Sequence, residues 1–346
     1  MHASVLLLLS PVIVSLIVTL VLCQLIVGRN WSFIPADIPN KRSLHSVPIP
    51  RAGGLAISIG IYLAFLVLLV VYGKWDTVFA YPLFSVLLVT SVSLIDDYRN
   101  LSFLIRILFH FIAAGVIAFL FTPFVLVSLD SQISSAPLFM NFVLMLIIVW
   151  FMNIYNFMDG SDGLAAMMAL IGFTTFALLG MLGGHTYYIY TSLIIVAACI
   201  GFLCFNFPPA RLFMGDSGSI QLGLLICIFS IWGAGERVFP FYIPFILFSA
   251  FIYDTSITLL RRAWHREKLW LAHKTHFYQQ LIDAGWSHKQ LLLAEALLML
   301  VCAMACLVLV KYPDLNQTLI ITGIIVLYFI LTVLVNRRCS PKSAST

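Results

Sequence analysis

Long apolar runs alternate with short polar junctions from one end of the chain to the other. A helix of about 20 apolar residues crosses a hydrocarbon core of about 30 Å. Run length and spacing predict eleven such spans, at roughly 3–27, 53–72, 78–95, 103–122, 138–157, 164–183, 187–205, 219–235, 239–260, 291–310 and 317–335. The short alternating segments of a membrane β-barrel do not occur. The pattern reads as an all-α polytopic membrane protein, with residues 1–346 forming one integral-membrane domain.

Composition sharpens that picture. Hydrophobic residues make up 62% of the chain and charged residues 10%, the latter about half the share in soluble domains. The run from Ala3 to Val27 has no Lys or Arg ahead of it and no small-residue cleavage site behind it. It reads as a retained helix with its N-terminus outside and not as a cleaved signal peptide. In that orientation only Lys74, Arg237 and Lys311 of the nineteen Lys and Arg fall in outside loops. The bias obeys the positive-inside rule and puts the C-terminus in the cytoplasm. The net charge of +5 follows topology and does not indicate a nucleic-acid partner. The cysteines mostly lie within apolar runs with no CxxC pair, which excludes a disulfide framework or a zinc site.

Polar density then gathers on one side. Cytoplasmic loops are expected at 28–52, 96–103, 157–163, 206–218 and 261–290. They hold "SLIDDYRN" at 93–100, "NIYNFMDGSDGLA" at 153–165, "FNFPPARLFMGDSGS" at 205–219, "LAHKTHFYQQL" at 271–281 and "NKRSLHSVPIPRAGG" at 40–54. Each has a bland reading. Asp96 and Asp97 could be a solvated helix end, although carboxylates there oppose the helix dipole. Ser161 or Asp162, and Asp216 or Ser217, could be helix N-caps. Capping leaves Asn153 and Asn156 unexplained, and oxygen-rich groups beside glycines suit a hard cation such as Mg²⁺ or a nucleotide. The glycine-flanked helix start at Asp216 could also receive phosphate. Arg106 could snorkel, and Lys41, His45 and Arg51 could be ordinary positive-inside residues or contacts to an anionic substrate. His273 and His276 lack the further ligands of a zinc site and suit donation to phosphate oxygens, or the loop's cations could simply meet anionic lipid. Asp254 is expected to pair with Arg261.

In their order along the chain, these motifs resemble those of the polyprenyl-phosphate N-acetylhexosamine-1-phosphate transferases, glycosyltransferase family 4, across residues 40–280. "HKTH" and the short C-terminal tail look most like the subgroup that initiates O-antigen of lipopolysaccharide. The resemblance implies a multi-pass enzyme of the bacterial inner membrane with a cytoplasmic active site. It would transfer an N-acetylhexosamine-1-phosphate from a UDP-sugar to undecaprenyl phosphate, releasing UMP, with Mg²⁺ as cofactor and Mn²⁺ as a substitute. The bilayer would hold the acceptor, and a homodimer is the oligomer implied.

Carried over by residue, Asp216 would bind the metal with Asn156, and Asp96 and Asp97 would face metal and lipid phosphate. Arg106 and Lys41 would hold phosphate. Asn206, Phe213 and Asp162 would hold uridine, and Asp159 would line the nucleotide pocket. His273 and His276 match the ends of the family's histidine signature, with Thr275 in the place of its third histidine; His273 is the catalytic candidate. Direct attack by the lipid phosphate, with Asp97 orienting it or taking a residual proton, is expected over an aspartyl-phosphate. Rival readings are a transporter of anionic solutes, which would bury its charges near mid-membrane, and the phospho-N-acetylmuramoyl-pentapeptide transferase of the same superfamily. A CDP-alcohol transferase lacks support because its Asp-Gly-x-x-Ala-Arg signature is missing.

Overall fold

In a computed structural model, the described residues are 5–29, 34–37, 48–72, 77–99, 101–128, 137–268 and 274–339. Backbone polar groups inside a bilayer must pair within their own segment, so apolar runs of this length become helices. The chain forms α1 (Val5–Gly28), α2 (Gly53–Tyr72), α3 (Thr77–Arg99), α4 (Phe103–Ser128), α5 (Pro137–Met158), α6 (Leu164–Gly183) and α7 (Thr186–Asn206). After these come α8 (Asp216–Gly235), α9 (Ile243–Leu247), α10 (Ser249–Trp264), α11 (Phe277–Asp283), α12 (His288–Lys311) and α13 (Gln317–Cys339). Among the described residues nine helices are long and apolar enough to cross a membrane, and the chain is a polytopic, mostly helical membrane protein.

Two of the eleven expected spans are not among those nine. The first, expected over 78–95, is helical throughout as part of α3, and Asp96, Asp97 and Arg99 follow it in the last turns. The second, expected as one helix over 239–260, is broken: α9 stops at Leu247, Phe248 leaves helical geometry, and α10 restarts at Ser249. Phe248 is fully buried against Phe151 and Phe176, with ring centroids at 5.7 and 5.8 Å. It occupies space that Gly172 leaves by having no side chain. α10 also carries Asp254 and Arg262 on its buried face, which no unbroken lipid-facing helix would do. A further departure from an all-α reading is a small antiparallel ladder, β1 (Ala36–Asp37) with β2 (Ile49–Pro50), pairing Ala36 with Pro50 and Asp37 with Ile49.

α8 is the central helix, with nearly every residue from Ser217 to Ala234 buried. It contacts α2, α3, α4, α5 and α6, so whatever its first turn carries is surrounded by other helix ends. A cluster of Phe173, Phe176, Tyr188, Phe229 and Trp232, mostly edge-to-face, fills the core between α6, α7 and α8.

Candidate active site

The last turn of α3 and the first turn of α8 meet through Asp97. Its Oδ1 accepts from the backbone N–H of Asp216 at 3.2 Å, and its Oδ2 accepts from that of Ser217 at 3.3 Å. The first N–H groups of a helix have no partner within it, and the helix dipole places positive potential there. Asp97 therefore caps α8 from another helix, and neither Asp216 nor Ser217 caps it as the bland sequence reading allowed. The cap needs Gly215: its φ of 74° is left-handed, and a Cβ there would lie 2.9 Å from Asp97 Oδ2.

Freed from capping, the Asp216 carboxylate turns outward between two guanidiniums. Arg51 approaches Oδ1 at 3.4 Å and Arg106 approaches Oδ2 at 3.3 Å. Arg51 also lies 3.7 Å from Asp97, and Arg106 donates to Asp96 at 3.1 Å. Asp96 is buried and accepts the Leu101 N–H at 2.6 Å, which closes the turn from α3 to α4. Both contacts to Asp216 are longer than a tight charge-assisted bond of about 2.7–2.9 Å. Arg106 Nε and Ser217 Oγ are buried and have no partner among the described residues. The cations are gathered but not saturated.

Asn156 joins from the end of α5. Its side chain lies beside Asp216, and its Oδ1 accepts from Ser219 Oγ at 2.6 Å. Asp159, just past α5, sits in the field of Arg51, Asp216 and Asp97. Loss of solvation, reinforced by the two neighbouring acids and opposed by Arg51, pushes its carboxyl well above the usual carboxylate range. Asp97, beyond the apolar part of α3, is pushed up to about 6, first by burial and then by Asp216; Arg51 and the two N–H groups of α8 resist the rise.

Arg51 is the residue that sequence alone left undistinguished among its loop's cations. Its backbone N–H donates to Pro35 O, and its neighbours strap onto the loop before α8: Phe213 N–H to Pro50 O at 2.9 Å, Gly53 N–H to Phe213 O at 2.9 Å and Gly54 N–H to Met214 O at 2.8 Å. The paired glycines of "PRAGG" carried the signal, since Gly54 packs against Gly218 where no Cβ fits.

The other expected residues fall around this cluster in different ways. Asn206 is buried, with Oδ1 accepting the Gly163 N–H at 2.9 Å and Nδ2 donating to Leu212 O at 2.8 Å. Asp162 accepts the Ala210 N–H at 3.0 Å, and its own N–H and Ser161 Oγ meet His288 Nδ1. In this arrangement both side chains brace the α5–α6 loop on the α7–α8 loop. Phe213 is half-buried in the latter. His276 is buried, stacked near Tyr278 and Phe157, and held at 3.2 Å by Asp254. Asp254 thus holds His276 and the first N–H groups of α11 in place of the expected pairing with Arg261. Arg261 instead lies over the Phe277 ring. Asn153 bonds back to Val149 O in its own helix. Lys41, His45 and His273 lie outside the described residues.

A Mg²⁺ ion takes hard oxygens, commonly one or two carboxylates with phosphate and water completing the shell. Asp216, adjoined by Asn156 and Asp97, fits that donor set. Among the described residues no three His, Cys, Asp or Glu side chains form a cage of their own, which leaves water and phosphate oxygens to complete the shell of an ion here.

Comparison with known proteins identifies the family of the chain. The model of Glycosyl transferase family 4 matches residues 79–234, which contain Asp96, Asp97, Arg106, Asn156 and Asp216. The chain is 30% identical over 342 residues to a probable undecaprenyl-phosphate N-acetylglucosaminyl 1-phosphate transferase of Bacillus subtilis, covering 95% of this chain and 93% of that one. It is 30% identical to a decaprenyl-phosphate N-acetylglucosaminephosphotransferase of Mycobacterium tuberculosis, over 74% of this chain and 70% of that one. A phospho-N-acetylmuramoyl-pentapeptide-transferase of Chlorobaculum parvum matches at 28%, over 71% and 75%.

Proposed function

Because the chain belongs to glycosyl transferase family 4, we propose that it transfers N-acetylglucosamine-1-phosphate from the UDP-sugar to undecaprenyl phosphate, releasing UMP and starting a lipid-linked glycan. The observation that carries this is the meeting of Asp96, Asp97 and Asp216 with Arg51 and Arg106 at one end of a bundle of membrane-length helices. A lipid phosphate and a soluble nucleotide can meet only at such an interface. The sugar follows from relatives named for N-acetylglucosamine. The muramoyl-pentapeptide enzymes are more distant. No relative named above carries an O-antigen name, so the reading is the initiation of an envelope glycan in general. The enzyme would sit in the bacterial plasma membrane with this face in the cytoplasm.

The chain's residues divide the work by their contacts. Arg51 and Arg106, loosely held on Asp216, turn toward the pyrophosphate and stabilise charge developing on the departing UMP. Asp216 and Asn156 would hold Mg²⁺, which when bound would neutralise pyrophosphate oxygens. An oxygen of the lipid phosphate attacks the β-phosphorus, and the bond from that phosphorus to the bridging oxygen of UMP breaks. The acceptor's second pKa is about 6, so it is already mostly dianionic near neutrality. Asp97, also titrating at about 6, shares any residual proton and orients the phosphate. Buried at 2% side-chain exposure and bonded to two N–H groups, it makes a poor nucleophile, which favours direct attack.

The test uses the purified full chain with undecaprenyl phosphate, Mg²⁺ and a panel of UDP-sugars. UMP release is expected with UDP-N-acetylglucosamine and is expected to be lost in Asp216→Ala. Uptake of a solute without chemistry would support the transporter instead. A labelled phospho-enzyme formed without lipid would remove the direct-attack step.

A further inference from the structure

A large cavity lies away from the acid cluster. It is a space of about 770 Å³ between α10, α11, α12 and α13, walled by apolar side chains such as Phe277, Leu281, Leu298, Val301, Leu331 and Val335. α13 forms one wall. It is tied to α10 along one line of polar contacts, Tyr328 to Ser249 at 2.8 Å, Thr332 to Tyr253 at 2.7 Å and Asn336 to Arg261 at 3.4 Å. At the same tyrosine it meets α12, where Cys302 Sγ lies 3.6 Å from Tyr328 Oη. Protein interiors tolerate few voids larger than a water molecule, and an apolar space of this size beside a bilayer fills with hydrocarbon.

Its rim is cationic. Arg337 and Arg338, in the last turn of α13, line the cavity together with Trp286. The Arg338 guanidinium lies over the Trp286 ring at 5.6 Å. Stacking fixes the plane of the guanidinium and leaves its N–H edge for an anion. Two acids face the same space: Asp254, which accepts the first N–H groups of α11, and Glu295. Glu295 lines the wall from α12. It lies seven residues into α12, about 10 Å along the helix axis. In a seated glycerophospholipid that depth is near the glycerol and ester groups.

The geometry points to a binding site for one anionic phospholipid of the bilayer, its phosphate on Arg337 and Arg338 and an acyl chain in the cavity. The occupant is not the reacting lipid, because α11 stands between the two sites. Phe277 and Leu281 face the cavity, whereas Tyr278 donates to Phe157 O at 3.1 Å, beside Asp159. A phosphate at Arg337 is on the wrong side of that partition from Asp97 and Asp216. The lipid supports α11 from behind and so steadies the loop that carries Asp159.

The full chain is exchanged into detergent after reconstitution with phosphatidylglycerol, phosphatidylcholine or undecaprenyl phosphate, and retained lipid is counted by native mass spectrometry. One phosphatidylglycerol per chain is expected. Two cations near the surface predict about a thirtyfold preference over phosphatidylcholine. Retention is expected to disappear in Arg337→Gln/Arg338→Gln, and separately in Ala294→Phe, which fills the cavity and leaves the charges. Equal retention in both variants, or equal retention of phosphatidylcholine, overturns the site. So does displacement of phosphatidylglycerol by undecaprenyl phosphate, which would make the cavity an acceptor site. The lipid count does not depend on turnover. Absence of UMP release in every lipid would therefore defeat the proposed reaction and leave this site standing.

Discussion

Replacing Asp97 by Asn, in the absence of Mg²⁺, is expected to change how the stability of the fold depends on pH. In the folded chain Asp97 titrates at about 6, against an ordinary value of 3.8. Below about pH 4 the group is protonated in both folded and unfolded chains, and it contributes no penalty. Between about 4 and 6 the unfolded chain has released the proton while the folded chain still binds it, so stability falls as pH rises. Above about 6 the loss is complete. A difference of about 2 units at about 1.4 kcal/mol each gives a loss of about 3 kcal/mol. The Asn variant lacks this titration. It keeps one acceptor for the N–H of Asp216 or Ser217 and turns an NH₂ toward the other, at a cost of about 1–3 kcal/mol that does not vary with pH.

Comparing slopes removes that constant. The melting temperatures of wild type and Asp97→Asn, followed by tryptophan fluorescence of the detergent-solubilised chain from pH 4 to 8, are expected to diverge. The variant gains a few °C on the wild type between pH 4 and 7. Parallel curves would refute the account of Asp97 as a carboxylate buried against Asp216. UMP release by the same variant is expected to be lost at every pH, which separates its part in the reaction from its effect on stability.

Three further outcomes follow from the same contacts. Arg51→Ala should lower kcat about 10²- to 10³-fold, the usual effect of deleting one stabiliser of developing charge. Arg51→Lys should recover only part of that, since an ammonium does not reproduce a planar guanidinium lying between Asp97 and Asp216; full activity in either variant would place Arg51 outside the reaction. Gly215→Ala forces a Cβ toward the Asp97 carboxylate in left-handed backbone and should reduce UMP release at least tenfold while the chain remains folded by circular dichroism. UDP binding, measured calorimetrically on the wild type, should weaken at least tenfold when Mg²⁺ is removed with EDTA, and equal affinity in both conditions would argue against a metal-assembled site.

Much of the site was legible because its residues violate membrane expectations. Asp96, Asp97, Asp159 and Asp216 stand at the ends of apolar runs, where each is costly and unsupported by local sequence, and the structure brings three of them onto two arginines. Arg51 was not legible to the same degree. A cation before a membrane span satisfies the positive-inside rule whatever it touches, and only the strap from Pro50 to Gly54 onto the Phe213 loop identifies this one. Asn206 and Asp162 show the converse. Their chemistry suits a ligand, yet buried backbone N–H groups of Gly163 and Ala210 need partners just as strongly. The break at Phe248 was hidden because hydropathy counts apolar residues and is blind to the packing of one ring against Gly172. What periodicity and charge cannot encode is which of several equivalent side chains the tertiary fold selects.

The same cluster supports the proposal that a metal-bound nucleotide, and not a free one, is the ligand. Four carboxylates, Asp96, Asp97, Asp159 and Asp216, face two guanidiniums, Arg51 and Arg106. The formal sum is −4 + 2 = −2, reduced where Asp159 holds a proton. A bare pyrophosphate brings more negative charge into a buried site that is already anionic, and Coulomb repulsion at a low effective dielectric opposes it strongly. A divalent cation held by Asp216 and Asn156 would reverse the sign of the approach. Arg51 and Arg106, at 3.4 and 3.3 Å from Asp216, would then be available to the phosphates as the charge on them grows.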